Sequence, residues 1–291
     1  MDRKIIYSII IPHKNIPLLL QRCLDSIPQW EDIQVIVVDD NSSSEIVDFS
    51  NFPGQNRAGV EIVFTKEGRG AGYARNCGLE RAKGKWLIFA DADDFFNPCF
   101  ALAIDSYRDT TYDQIFFLSN SVDSDTLQPV IARQSYLKEI EDGDYNSFRY
   151  KTFVPWAKMF SANMVKKYHL RFDETVAAND VMFVTYADYY SKNIATCVQS
   201  VYCSTVRMNS LWYGMAYSSL LARVSVSARF NCFMKSLKLD DKRVYTYAWV
   251  ARCKRIGLKA YLGALFVYLR FEPCRYINED FKALVKAKLY K

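Results

Sequence analysis

The chain has 291 residues, of which 50% are hydrophobic and 15% aromatic, and this is enough apolar surface for a large folded core. Such a composition excludes a chain that is disordered over most of its length. The formal charge of +6 is modest and does not by itself predict a nucleic-acid partner, so we predict none. The eight cysteines form no Cys-x-x-Cys pair and there are only two histidines, which argues against a zinc site and predicts reduced thiols.

Strand-like and helix-like segments alternate over the first hundred residues. A β-branched run from Ile5 to Ile11 stops at Pro12 and predicts a first buried strand, with apolar residues at helical spacing after it. Further apolar runs predict strands at 34–38, 60–65 and 86–90, and a helix at 73–82 lies between the last two. Repeated strand–helix–strand units predict an α/β fold with a mostly parallel central sheet flanked by helices.

The pattern loosens after residue 96. A fifth strand is predicted at 114–118, and the polar stretch 119–143 is predicted to be a long loop or lid. From Met215 onwards the chain is predicted to be mostly helical. We therefore predict a catalytic domain at residues 1–208 and a helical C-terminal extension at 209–291. No run reaches the roughly 18 apolar residues of a membrane span and no signal peptide opens the chain, so the expected location is the cytoplasm.

Three carboxylates, Asp91, Asp93 and Asp94, follow the predicted strand at 86–90 directly. Acids this close repel one another unless a cation or protons neutralise them. A hard divalent ion such as Mg²⁺ or Mn²⁺, held by one or two carboxylates and substrate phosphates, suits such a group. The alternative is a polar turn in which Asp94 or Asn97 caps the next helix.

A second acidic pair, Asp39 and Asp40, follows the predicted strand at 34–38. The carboxyl ends of parallel strands meet at one edge of a sheet, so one ligand could contact both groups of acids. Asp40 can accept hydrogen bonds from a base or a ribose hydroxyl while Asp93 holds a metal against a diphosphate. Arg75, early in the predicted helix 73–82, would bring a guanidinium and a helix dipole to the same anion, with Asn76 supporting the turn.

Five successive segments in this region resemble the signatures of family 2 glycosyltransferases with the GT-A fold, in order and in spacing. They are Ser8-Ile9-Ile10-Ile11-Pro12, Val35-Ile36-Val37-Val38-Asp39-Asp40-Asn41-Ser42, Ala74-Arg75-Asn76-Cys77-Gly78-Leu79, Ala82-Lys83-Gly84-Lys85-Trp86 and Asp91-Ala92-Asp93-Asp94. A fainter resemblance continues through residues 155–160, 171–172 and 179–180, so that it covers about two thirds of the chain.

The resemblance implies a nucleotide-sugar donor, with a UDP-sugar favoured, and a divalent metal on the Asp-x-Asp element. It also implies transfer with inversion to a hydroxyl of a glycan or lipid-linked acceptor, in surface polysaccharide synthesis. By position, Pro12 and Asp40 match the family's nucleoside contacts, and Asp91 and Asp93 match the Asp-x-Asp acids, with Asp93 the direct ligand. Asp180 matches the general base, although Asn179 stands where the family usually has Glu. Asn41 replaces a usual glycine and tolerates the same left-handed backbone.

Several alternatives remain open at this point. A sugar-phosphate nucleotidyltransferase has a related fold but needs a glycine-rich loop after the first strand, and residues 12–15 contain no glycine. A non-enzymatic, membrane-associated assembly subunit of the same fold would not need the acids.

The roles of three segments also remain open. The glycines at 68–72 favour a flexible loop over a phosphate cradle. Trp156 could stack on a sugar or belong to the core. The basic and aromatic C-terminal helices could lie on an anionic membrane surface, as a peripheral protein, or pack with Lys and Arg facing water.

Overall fold

The apolar runs at the start of the chain form four adjacent parallel strands in the computed structural model, which describes residues 4–130, 142–207 and 216–271. The strands are β1 (Tyr7–His13), β2 (Ile33–Asp40), β3 (Val60–Thr65) and β4 (Trp86–Phe89). Every residue of β1, β2 and β4 is buried, as expected for strands covered on both faces. The predicted parallel α/β core is confirmed.

Four more strands extend this sheet. They are β5 (Phe95–Phe96), β6 (Gln114–Asp123), β7 (Lys158–Ser161) and β8 (Ile194–Val206). The strand order is β3-β2-β1-β4-β7-β6-β8-β5, and β7 runs antiparallel to both of its neighbours. The sheet is therefore mixed, with its parallel half at the β1–β4 end.

Helices cover both faces of the parallel half. Those around the sheet are α1 (Pro17–Asp25), α2 (Ala71–Arg81), α3 (Phe100–Asp105), α4 (Tyr145–Phe148), α5 (Ala162–Lys167) and α6 (Val181–Tyr190). On one face Ile9 and Val35 pack with residues of α1. On the other face Ile10 and Ile36 pack with residues of α2 and α6. The alternation of neighbouring side chains between two cores explains why both strands read as unbroken apolar runs.

Two predicted boundaries are wrong. β1 continues through Pro12 to His13, because by this point only β2 pairs with β1 and a residue without an N–H is tolerated there. The predicted loop at 119–143 begins too early, since β6 extends to Asp123 and pairs with β8 along its length. Residues 131–141 of that loop lie outside the described residues.

The chain divides into two units, one comprising Met1–Glu174 and Phe183–Met208, the other Thr175–Met182 and Asn209–Lys291. The second unit contains α7 (Tyr217–Ser236), α8 (Tyr247–Arg252) and α9 (Leu258–Phe271). Its core consists of the buried side chains Leu220, Val224, Val250, Cys253, Ala264 and Tyr268. The predicted helices are thus present up to residue 271, and the rest of the prediction falls outside the described residues. Among the described helices, none is both long and apolar enough to cross a membrane.

Candidate active site

Asp39, at the carboxyl end of β2, is a buried structural acid. Its Oδ2 atom lies 2.8 Å from His13 Nδ1, and its carboxylate also accepts hydrogen bonds from the Ser42 backbone N–H (2.9 Å) and hydroxyl (2.5 Å). The backbone N–H of Ile16 donates to His13 Nε2 at 3.2 Å, so the proton of a neutral His13 is on Nδ1 and points at Asp39. His13 is therefore a buried residue of β1 that connects the end of β2 with the loop after β1.

Burial acts to raise the pKa of Asp39, but the hydrogen bonds from His13 and Ser42 outweigh it and hold the pKa below its usual value. Asn41 follows with a φ of 59°, the left-handed conformation expected at this turn. The turn presents the neighbouring acid, Asp40, to the sheet edge.

Asp40 is arranged differently from Asp39. Its Oδ2 atom accepts a hydrogen bond from the Gly70 backbone N–H at 2.9 Å, and Lys14 Nζ lies 3.5 Å from the same oxygen. Its Oδ1 atom is buried and has no hydrogen-bond partner among the described residues. An unpaired buried carboxylate oxygen costs free energy, and a hydroxyl or N–H donor from a ligand would relieve that cost. This arrangement suits the predicted contact with a nucleoside.

Gly70 connects Asp40 to the start of α2. Its φ of 92° and ψ of 175° lie in a region that is essentially restricted to glycine. The conformation turns its N–H towards Asp40 and starts the helix that carries Arg75. The glycines at 68–72 therefore include a specific turn, and the prediction of a merely flexible loop is too weak for Gly70.

Arg75 and Asp91 form an ion pair at the same edge of the sheet. Arg75 Nη2 lies 2.5 Å from Asp91 Oδ1, with the Arg75 side chain 6% exposed and that of Asp91 35% exposed. The guanidinium also lies over the ring of Phe172, 5.3 Å from its centroid. β1 separates β2 from β4, so the strand ends that carry Asp40 and Asp91 are about 10 Å apart at typical strand spacing. A nucleoside diphosphate could span this distance.

Asn76 holds Phe172 in place. Its Oδ1 atom accepts from the Phe172 backbone N–H at 2.9 Å, and its Nδ2 donates to the Phe172 carbonyl at 3.0 Å. Phe172 in turn stacks on Phe183 of α6, with ring centroids 4.0 Å apart. Asn76 thus positions the Phe172 ring on which the Arg75 guanidinium lies, an arrangement that could not be predicted from the sequence.

Asp94 is a second structural acid. Tyr202 donates its hydroxyl to Asp94 Oδ2 at 2.8 Å, and the Thr205 backbone N–H donates to Asp94 Oδ1 at 2.6 Å. The predicted helix cap is wrong for Asp94, because both partners come from β8, and α3 starts without a side-chain cap. Burial, with the negative charges of Asp91 and Asp93, raises the pKa of Asp94 well above its usual range. Trp156 stacks on Tyr202 at 5.0 Å and belongs to the core.

Asp93 lies between these groups and pairs with Arg207, which follows β8. Arg207 Nη2 is 2.8 Å from Asp93 Oδ2, and the Asp93 carbonyl accepts from Arg22 Nη2 (2.6 Å) and the Thr205 hydroxyl (2.8 Å). Burial and the Asp91 charge raise the pKa of Asp93, and Arg207 partly offsets them. The structure thus assembles two half-buried carboxylates and two arginines, Arg75 and Arg207, at one end of β4.

The strand-end acids and Arg75 lie within the segment that matches a known family profile, and Arg207 lies beyond its end. The profile described as glycosyl transferase family 2 matches residues 8–168, more than half of the chain. The chain belongs to glycosyl transferase family 2. EpsH of Bacillus subtilis, which is named as a glycosyltransferase, is 22% identical over 258 residues, covering 81% of this chain and 71% of EpsH.

Several solved structures share the fold of this chain. Residues 1–349 of TarS from S. aureus match with a TM-score of 0.70 and 18% identity, covering 93% of this chain and 82% of that one. The same TarS fragment solved with UDP-GlcNAc matches with a TM-score of 0.63 and 20% identity, covering 78% of this chain and 67% of the fragment. The mannosyltransferase PcManGT of Pyrobaculum calidifontis, solved with GDP-Man and Mn²⁺, matches with a TM-score of 0.55 and 18% identity, covering 99% and 87%. At this identity the likeness establishes the GT-A fold of the family 2 enzyme.

The donor atoms at the Asp-x-Asp element of this family 2 enzyme fit a divalent metal. Arg75 contacts Asp91 through Oδ1 and Arg207 contacts Asp93 through Oδ2, so Oδ2 of Asp91 and Oδ1 of Asp93 are the candidate metal-binding oxygens. In the part of the chain that the structure describes, no cluster of three or more His, Cys, Asp or Glu side chains could hold a metal ion by itself. A Mg²⁺ or Mn²⁺ ion here would need substrate phosphates to complete its coordination.

Two other predicted site residues have different surroundings. Pro12 is buried in β1 and lies opposite Val38 of β2, two residues before Asp40. Asp180 lies just before α6, as predicted, and belongs to the segment Thr175–Met182 of the second unit. Within that unit, burial lowers the pKa of Arg223 while the nearby Asp180 carboxylate acts to raise it.

Sequence reasoning missed the side chains that β8 brings to the site. Tyr202, Thr205 and Arg207 lie more than a hundred residues after Asp93 and Asp94, and they hold both acids. The β-branched content of residues 194–206 could have predicted a strand there. Its pairing with the Asp-x-Asp region could not have been predicted, because no local pattern encodes that register.

Proposed function

We propose that this glycosyltransferase moves a sugar from a nucleoside diphosphate donor, with UDP-sugars favoured, to a hydroxyl of a glycan or lipid-linked acceptor with inversion. The observation that supports the donor class best is the buried, unpartnered Oδ1 of Asp40, at the same sheet edge as the Arg75–Asp91 pair. Oδ1 of Asp40 lacks a hydrogen-bond donor, which a nucleoside could supply. Arg75 is a cation that an anionic diphosphate could contact. The TarS fold neighbour solved with UDP-GlcNAc supports the same class. Surface polysaccharide synthesis is the proposed setting.

The charge and surroundings of each side chain suggest its role in the proposed reaction. Asp40 accepts a hydrogen bond from the nucleoside, with Pro12 beside it on β1. Arg75, fixed over the Phe172 ring, neutralises the leaving diphosphate, and such preorganised charge stabilises a transition state effectively. Asp91 and Asp93 would hold Mg²⁺ or Mn²⁺, which supplies Lewis-acid stabilisation of the same leaving group when bound.

Asp180 is proposed as the general base that takes the proton from the acceptor hydroxyl. General-base catalysis typically contributes about 10²–10⁴-fold in rate. The cation Arg223 lies near this carboxylate, as shown by the Asp180 charge that acts to raise the pKa of Arg223. Asp180→Ala should therefore lower the rate of transfer far more than it lowers donor affinity.

The experiment combines donor screening with product analysis. The melting temperature of the protein is measured with UDP-, GDP- and TDP-sugars, each with and without Mn²⁺, since a ligand that binds only the folded state raises it. We expect a metal-dependent rise with one nucleotide class and release of the corresponding nucleoside diphosphate on turnover. Near-normal turnover of Asp180→Ala would contradict the base assignment, and no rise with any donor would contradict the donor class.

A further inference from the structure

The surface formed by α9 and the turn before it combines exposed apolar and basic side chains. Leu258, Leu262, Phe266 and Leu269 are 73%, 53%, 70% and 37% exposed. Their spacing of four, four and three residues aligns them along one side of the helix. The opposite side carries the buried Ala264 and Tyr268 of the second unit's core. We call the four exposed residues the α9 stripe.

Basic side chains surround the α9 stripe. From residue 252 to 271 the sequence contains no Asp or Glu, and the exposed cations are Arg252, Lys254, Arg255, Lys259 and Arg270. None of these cations pairs with a carboxylate within the described ranges. Residues 216–271 as a whole carry eleven Lys and Arg side chains and two Asp, a net charge of +9 against +6 for the entire chain. The positive charge of the protein is thus concentrated in this unit.

We propose that the α9 stripe and its surrounding cations dock the enzyme on an anionic lipid surface. A row of large apolar side chains flanked by Lys and Arg, on a helix too short to span a bilayer, has the character of an interfacial helix. The complete lack of acids between 252 and 271 distinguishes this surface from an ordinary protein interface, which needs no such one-sided charge. The inference concerns where the enzyme works and stands apart from the donor assignment.

Flotation of the full chain with vesicles tests the proposal. We expect binding to phosphatidylcholine vesicles containing about 30% phosphatidylglycerol, weaker binding to pure phosphatidylcholine, and release at high salt as the charges are screened. Phe266→Glu should lower vesicle binding by at least about tenfold, because it removes a large apolar contact and adds a negative charge. Lys259→Glu with Arg270→Glu should have an effect of similar size.

Matched controls use equally exposed positions of the first unit. Leu102 in α3 is 74% exposed, so Leu102→Glu should leave vesicle binding unchanged, as should Lys166→Glu with Lys167→Glu at the end of α5. Unchanged melting temperatures and donor-induced shifts establish that the variants are folded. The proposal would be overturned if the wild-type protein did not bind anionic vesicles, or if the Phe266→Glu variant bound them as well as wild type. A dimer that Phe266→Glu dissociates, without vesicle binding, would assign the stripe to a second copy of the chain instead.

Discussion

The two acidic strand ends look alike in the sequence but are built in opposite ways. At the end of β2 the first acid, Asp39, is structural and the second, Asp40, has an oxygen without a partner. At the end of β4 the last acid, Asp94, is structural, and Asp91 and Asp93 face arginines. Each strand end thus uses one buried acid to hold the loop, and the remaining acids are those proposed to contact the donor or its metal.

The structural acids also differ in charge. Burial acts to raise the pKa of Asp39, but the hydrogen bonds from His13 and Ser42 stabilise its carboxylate and lower the pKa below its usual value. Asp94 is buried beside two further carboxylates, which raises its pKa. The buried carboxylate at the end of β2 is therefore stabilised by hydrogen bonds within the protein. The carboxylates at the end of β4 carry excess negative charge that a cation or protons must balance. The end of β2 therefore suits a hydrogen-bond donor, and the end of β4 suits a cation.

The largest loss of activity is expected for an acid that is proposed to bind the metal. Asp93→Ala should lower transfer by about 10²-fold or more, because it removes a predicted metal ligand from the leaving-group site. Steady-state rates across a range of Mn²⁺ concentrations measure the loss. Asp125→Ala, an exposed acid in the turn after β6, serves as the control and should be fully active. Normal activity of Asp93→Ala at all metal concentrations would contradict the role of this strand end.

Asp40→Asn should weaken donor nucleotide binding by about 10- to 100-fold, since a hydrogen bond to a charged group contributes about 1.5–3 kcal/mol. The free energy of unfolding should stay constant or rise, because the lost oxygen has no partner in the folded protein. Calorimetric titration and chemical denaturation measure the two quantities. A variant that loses stability while keeping its affinity would show that Asp40 is structural, like Asp39.

The structural acids predict opposite responses to pH. The folded pKa of Asp39 lies below the unfolded value of about 3.9, so its contribution to stability is complete above that pH and is lost as the pH falls through the folded pKa. The folded pKa of Asp94 lies above the unfolded value, so wild-type stability falls as the pH rises from about 4 through the folded pKa. Each unit of pKa difference corresponds to about 1.4 kcal/mol.

Denaturation of Asp39→Asn and Asp94→Asn between pH 2 and pH 8 tests this contrast. The advantage of wild type over Asp39→Asn should shrink below about pH 4, whereas wild type should lose stability relative to Asp94→Asn as the pH rises above about 4. Parallel pH profiles for both variants would mean that the two acids have the same environment.

The smallest expected effect concerns the ring beneath Arg75. Phe172→Leu should weaken donor binding by about two- to fivefold, because a cation above an aromatic ring gains about 0.5–1 kcal/mol. The unfolding free energy is measured in parallel, since Phe172 also stacks on Phe183. Reduced stability with unchanged affinity would show that the ring serves the core alone.

Much of the fold could be predicted because its signals are local. β3 has the predicted bounds, and β1, β2 and β4 differ from them by only a few residues, since an apolar run between turn residues is visible in a short window. The short antiparallel strand β7 was not predicted. A strand of four residues that is buried between two neighbours has no periodicity of its own.

The sequence by itself determined that two groups of acids follow parallel strands, and hence that they share one edge of the sheet, because side-chain pattern and strand polarity are properties of short segments. Only the tertiary structure decided which acid in each group holds the loop and which is left for the proposed ligand contact. That choice depends on hydrogen-bond donors from distant parts of the chain: His13 for Asp39, and Tyr202 and Thr205 for Asp94. Neighbouring carboxylates are chemically identical until folding gives each its own partners.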